Sequence, residues 1–75
     1  MAIVKNRSLI ELGNNIRKIR NELGLSQEHL AEKADLDRTY VGGIERGERN
    51  VTIISILKIS RALECELADI VEGIK

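Results

Sequence analysis

The residues best able to do chemistry in this sequence are cations and small polar groups gathered in one stretch, not a nucleophile beside a base. If residues 38–46 are helical with Val41 and Ile44 turned inward, then Arg38, Gly42 and Arg46 form one exposed stripe at four-residue spacing. Thr39 and Gly43 lie beside it. A guanidinium at the start of such a helix can grip the two acceptors of a guanine edge, and a threonine can meet a thymine methyl or a phosphate. Arg46 shares the stripe and joins Arg38 and Thr39 as a candidate base reader. Two adjacent glycines inside a helix cost roughly 1 kcal/mol each relative to alanine. Gly42 and Gly43 would suit a helix whose backbone must press into a groove.

Other chemistry is poorly provided for. His29 is the only histidine, on the exposed side of the second helix with no second imidazole or thiol near it, and reads as a surface residue. Cys65 is the only cysteine, which excludes an internal disulfide and a cysteine-based zinc cage. It falls at the turn into the last helix, where burial is expected, and a single thiol fits a reducing, cytoplasmic setting. Tyr40, the only aromatic ring, should flank the core beside Ile44 with its hydroxyl able to reach a phosphate. With no metal cluster, nucleophile–base pairing or phosphate loop, neither catalysis nor a cofactor is expected.

The elements that must position this stretch are short helices. Proline is absent, and the alternating β-branched and aromatic runs of strands are missing. A first helix over about residues 8–23 places Leu9, Leu12, Ile16, Ile19 and Leu23 on one buried stripe. Ser8 and Glu11 have the spacing of a capping box, and Gly24 can end the helix at positive φ. Ser26 caps a second helix that buries Leu30, Ala31 and Ala34, and Asp37 caps a third that stops before Gly47. Thr52 or Ser55 starts a fourth, through Ile56, Ile59 and Leu63, and a fifth covers about residues 66–71. The 75 residues make one domain. Lys5 and Arg7 interrupt the apolar start at Ala2, Ile3 and Val4, so no signal peptide is expected.

Two helices joined by a tight turn cross steeply, and the residues at the crossing must be small or apolar. Counting from Gln27, the fifth residue is Ala31, and Leu30, Ala34, Leu36, Val41 and Ile44 complete an apolar set at helix-turn-helix spacing over residues 27–46. The ninth, usually glycine because the turn needs positive φ, is Asp35, a residue type that enters that region more easily than most.

The charges sum to zero, with 12 Lys and Arg against 12 Asp and Glu, but they are polarised. Lys5, Arg7, Arg17, Lys18 and Arg20 face only Glu11 in the first twenty residues, while Glu64, Glu66, Asp69 and Glu72 dominate the tail. Such a chain can turn a basic end toward phosphate. Ile53, Ile54, Ile56, Leu57, Leu67, Ile70 and Val71 exceed what one short helical pair can hide, and the surplus is a candidate dimer surface.

The run Asp37-Arg38-Thr39-Tyr40-Val41, followed by Ile44-Glu45-Arg46-Gly47-Glu48-Arg49-Asn50, resembles the Cro/repressor-type (XRE-like) helix-turn-helix family. More narrowly it is similar to the controller proteins of restriction–modification systems, from Leu9 to Val71. The resemblance implies an all-α, five-helix domain of the lambda-repressor-like type that dimerises through its last two helices, about residues 52–72. It assigns Arg38, Thr39 and Arg49 to base reading. Ser26, Gln27, Asn50 and Thr52 go to the DNA backbone, with Tyr40 and Gly43 joining them, and Arg20 and Glu45 form a structural ion pair. Gly42 departs from the small polar residue often found there. The function implied is a homodimeric transcriptional regulator of a restriction–modification operon that includes its own gene, activating at low and repressing at high occupancy. Its partners would be an inverted-repeat operator in double-stranded DNA and RNA polymerase. Phage-type repressors and antitoxins share the scaffold, and zero net charge also suits a helical protein-interaction module without specific DNA binding.

Overall fold

In the computed structural model, residues 6–74 are described; Ala2, Ile3, Val4 and Lys5, named above, lie outside them. Five helices follow in order, α1 (Arg7–Glu22), α2 (Gln27–Ala34), α3 (Arg38–Glu45), α4 (Ile53–Ala62) and α5 (Leu67–Val71). No strand occurs among the described residues. The all-α, five-helix expectation holds, and most boundaries fall where the capping residues put them. Ser26 Oγ accepts from His29 N at 3.0 Å, Asp37 Oδ1 from Thr39 N at 2.7 Å and Thr52 Oγ1 from Ser55 N at 3.0 Å. Each satisfies an amide that the first helical turn leaves without a partner.

The start of α1 differs from the expected one. Asn6, not Ser8, is the cap: its Oδ1 accepts from Ser8 N at 2.8 Å and Leu9 N at 3.4 Å. Glu11 pairs instead with Arg7, one turn back at 3.5 Å. Both Asn and Ser cap well, so local preference alone does not choose between them.

The turn between α2 and α3 rests on Asp35, which adopts φ 55° and ψ 48°, the left-handed conformation the spacing demanded. α3 closes in a Schellman turn: Gly47, at φ 75°, donates its amide to Ile44 O, and Glu48 donates its own to Gly43 O. A Cβ on Gly47 would also lie 2.7 Å from Ile10 Cγ1, so two constraints require glycine there.

All five helices feed one core, built from Leu12, Ile16, Leu30, Ala31, Ala34, Val41, Ile44, Ile56, Ile59, Ala62, Leu63 and Ile70. Leu23 does not join it: as the residue that closes α1 it is 47% exposed. Two candidate dimer residues are also corrected. Ile56 and Ile70 are 4% and 0% exposed, so they hold the chain's own core and have no surface to offer a partner.

Two features outside the apolar pattern lock α1 to its neighbours. A Cβ on Gly13 would fall onto Ile44 O, 2.5 Å from Glu45 O and 2.8 Å from the Glu45 carbonyl carbon, so α1 and α3 touch backbone to backbone. Asn15 Nδ2 donates to Ile70 O at 2.8 Å and Glu72 O at 2.9 Å, tying the end of α5 to the middle of α1.

Candidate nucleic-acid interface

The site is organised by a buried carboxylate. Glu45, at the last turn of α3, is 1% exposed, and its charge is answered from two other helices. Arg20 Nε donates to Oε2 at 2.6 Å and its Nη2 to Oε1 at 2.9 Å, a two-pronged pairing. Arg17 Nε and Gln27 Nε2 also reach Oε1, at 3.4 Å and 3.0 Å, and Arg17 Nη2 donates to the Glu45 carbonyl at 3.3 Å. Burial alone would push the Glu45 carboxyl up. The hydrogen bonds and charge supplied by Arg20, with the bonds from Gln27 and Arg17, outweigh it and hold the group below the ordinary carboxylate value. Arg20 Nη1 also donates to Leu25 O at 2.8 Å, bracing the α1–α2 turn.

The expected Arg20–Glu45 pair is therefore present, and it is larger than expected. Arg17 and Gln27 belong to it, so the basic start of the chain is largely spoken for: Arg17 and Arg20 face Glu45, and Arg7 faces Glu11. Gln27, assigned to the DNA backbone, has one amide donor turned inward to Glu45. The resemblance supplied Arg20, 25 positions from Glu45, but nothing in the sequence pointed to Gln27 and Arg17, 18 and 28 positions away.

On the outer side of this lock, Gln27, Arg38, Thr39, Gly42 and Arg46 line one shallow depression, bringing the start of α2 to the exposed face of α3. Arg38 and Thr39 are exposed at the first turn of α3, and Ser26 at the cap of α2 is exposed as well. Ser26 Oγ accepts from His29 N, which leaves its hydroxyl hydrogen to donate outward. Arg46 Nε lies 3.0 Å from Glu48 Oε1.

The paired glycines have a different task from the expected one. Both are buried, because arginines of the same chain lie on them. A Cβ on Gly42 would sit 3.1 Å from Arg46 Nη1, and one on Gly43 only 2.7 Å from Arg49 Cγ. The glycines seat two arginine side chains, and Gly43, covered by Arg49, is not presented as a backbone contact. Past Gly43 the Arg49 guanidinium lies 5.9 Å from the centre of the Tyr40 ring, within cation–π range.

Tyr40 and Thr52, both assigned to the DNA backbone, turn their hydroxyls inward. Tyr40 Oη donates to Ser55 Oγ at 3.2 Å and Thr52 Oγ1 donates to the same oxygen at 2.9 Å. Their structural role, joining α3 to the start of α4, comes first. Asn50 is exposed in the loop beyond Arg49.

Elsewhere, Cys65 is half-buried, and burial, then the nearby Asp69 and Glu66, push its thiol up, the opposite of what a reactive thiolate needs. His29 is exposed, as expected. Among the described residues no group of His, Cys, Asp or Glu is placed to hold a metal ion, and no helix is long and apolar enough to cross a membrane. On α4 and α5 the exposed apolar residues are Ile53 and Ile54, each 67% exposed, and Val71, while Leu57 and Leu67 are half-buried.

Residues 16–70 match the helix-turn-helix family. The control protein C.MunI of a Mycoplasma species is 43% identical over 67 residues, spanning 88% of this chain and 90% of that protein. The crystal structure of the restriction-modification controller protein C.AhdI from Aeromonas hydrophila superposes with a TM-score of 0.85 at 46% identity, over 87% of this chain and 98% of that one. A similar match, TM-score 0.84 at 43% identity over 93% of this chain and 92% of the other, is to the controller C.Esp1396I as a tetramer in complex with its natural 35 base-pair operator.

Proposed function

We propose, from the premise that this chain belongs to the helix-turn-helix family and within it to the restriction–modification controller proteins, that it regulates transcription by sequence-specific binding to DNA upstream of its own gene. The observation that carries this reading is the shared face of α2 and α3. There Gln27, Arg38, Thr39 and Arg46 converge on one depression while Glu45 fixes the crossing of the two helices from behind. A rigid helix with arginines at both ends is what the major groove accepts.

In this reading Arg38 and Thr39 read base edges from the first turn of α3, with Arg46 and Arg49 flanking them. Ser26, the α2 start and Asn50 hold the phosphate backbone, where amides and hydroxyls serve better than charge alone. Gln27 keeps its inward bond and offers its remaining amide atoms to the DNA. The chain acts as a homodimer joined through Ile53, Leu57, Leu67 and Val71, with Ile54 added. Two-fold symmetry then sets the α3 helices about one DNA turn apart, on an inverted repeat. Bound on its own promoter, the dimer activates at low occupancy and represses at high, with RNA polymerase as the second partner. The operator complex of C.Esp1396I supports the DNA half of this reading.

The test is fluorescence anisotropy on labelled duplex from upstream of the gene, against random duplex, across a salt series. Tight binding that survives competitor DNA and falls steeply with salt is expected. Equal, weak binding to both duplexes overturns self-regulation and favours the protein-interaction module.

A further inference from the structure

Arg46 stands at the rim of the DNA-facing depression, but it is not a free cation. Its Nε lies 3.0 Å from Glu48 Oε1. The backbone that carries that carboxylate is held by the turn. Glu48 is the second residue past the end of α3, and its own amide is held on Gly43 O at 2.9 Å by the Schellman turn that Gly47 makes possible. The position of the guanidinium is set as well. It rests on Gly42, where a Cβ would come within 3.1 Å of Nη1 and 3.5 Å of Gln27 Oε1. Glycine at 42 and glycine at 47 thus build the two halves of one arrangement, a seat for the arginine and a turn that carries a carboxylate beside it.

We infer that Glu48 is an intramolecular counter-ion that competes with DNA for Arg46 and so lowers affinity for all duplexes; the inference rests on the DNA-binding reading above. A phosphate that takes Arg46 must displace a carboxylate already in place, and that negative charge then stands beside the DNA. The competition is modest because Arg46 is half exposed and water screens the pair. It bears on every sequence alike, whereas contacts from Arg38 and Thr39 discriminate. Tempered affinity of this kind shortens the time spent on non-specific DNA.

The experiment compares wild type, Glu48→Gln, Arg46→Ala and the double variant by anisotropy on the upstream duplex and on random duplex, with circular dichroism to confirm that each is folded. Glu48→Gln is expected to tighten both complexes by roughly twofold to fivefold at low salt, with the gain shrinking as salt rises. In the Arg46→Ala background the same substitution is expected to change little. A gain of equal size without Arg46 makes Glu48 a plain negative charge near DNA and overturns the inference, as does no gain at all in the single variant. A readout without DNA separates this from the parent reading: hydrogen exchange at Arg46 Nε, measured by NMR, should quicken in Glu48→Gln. If it does so while wild type binds neither duplex, the ion pair stands and the DNA reading, with the competition built on it, falls. Unchanged exchange removes the pair itself.

Discussion

Replacing Glu45 with glutamine tests the centre of the fold and of the site together. The side chain keeps its shape and loses its charge. Its Oε1 now accepts from Arg20 Nη2, Gln27 Nε2 and Arg17 Nε, and its Oε2 from Arg20 Nε. An amide supplies only one such oxygen, so its NH2 must face donors of Arg20, Arg17 or Gln27 wherever it turns. Removing one partner of a buried ion pair costs about 3–5 kcal/mol. The low end applies, about 3 kcal/mol, because Arg17 is 43% exposed to water and Arg20 retains the Leu25 carbonyl. For a domain of this size each kcal/mol moves Tm by roughly 4–8 °C, so a fall of about 15 °C is expected.

The dependence on pH has a definite sign. The folded Glu45 carboxyl lies below its ordinary value of 4.5, so its stabilisation is complete above that value and lost as pH falls through the lowered one. Glu45→Gln lacks this part of the acid limb. Thermal melts followed by circular dichroism at one protein concentration should therefore show the full gap near about pH 7 and a gap that narrows as pH falls below 4.5. A variant melting within about 3 °C of wild type near neutrality, or a gap that persists undiminished into acid, refutes the reasoning.

Gly13→Ala should lower stability by about 2 kcal/mol in denaturant melts, because backbone cannot retreat as a side chain can, even though alanine contributes about 1 kcal/mol in helix preference. Gly42→Ala, facing only the side-chain ends of Arg46 and Gln27, should be neutral or stabilising in the same assay, and the reverse order would disprove the backbone contact. Arg38→Ala should cost about 1–3 kcal/mol on the upstream duplex and less on random duplex, measured by anisotropy. Equal losses reduce Arg38 to a phosphate contact. Ile53→Lys should leave the 67%-exposed site's own fold intact and shift sedimentation toward monomer. An unchanged dimer places the interface elsewhere.

What could be read before folding was what is decided locally. Ser26, Asp37 and Thr52 cap as their types require, and Asp35 takes positive φ because the helix-turn-helix spacing leaves that position no alternative. Asn6 was missed because two good caps stood two residues apart. Gly13 carried a readable signal, a glycine mid-helix beside the buried Leu12 and Ile16, but its cause lies on α3. The glycines at 42 and 43 misled for a related reason: their missing side chains are filled by arginines four and six positions on, which pattern alone places in solvent. The apolar surplus on α4 and α5 pointed to a surface, yet only packing separates exposed Ile53 from buried Ile56.

The two bonds from Asn15 to the end of α5 have a further consequence when set beside the Arg20–Glu45 pairing on the same helix. α1 is a strut about 24 Å long, pinned to α5 at one residue and to α3 five positions later. A dimer joined at α4 and α5 inherits that stiffness, so the span between its two α3 helices is fixed by the monomer's interior. It works as a caliper with no joint. An extra base pair between half-sites displaces them by about 3.4 Å and turns them by about 35°, a step that no rotation within this chain is arranged to absorb. In the proposed dimer, the half-site spacing is therefore set in part by a helix that need not touch DNA.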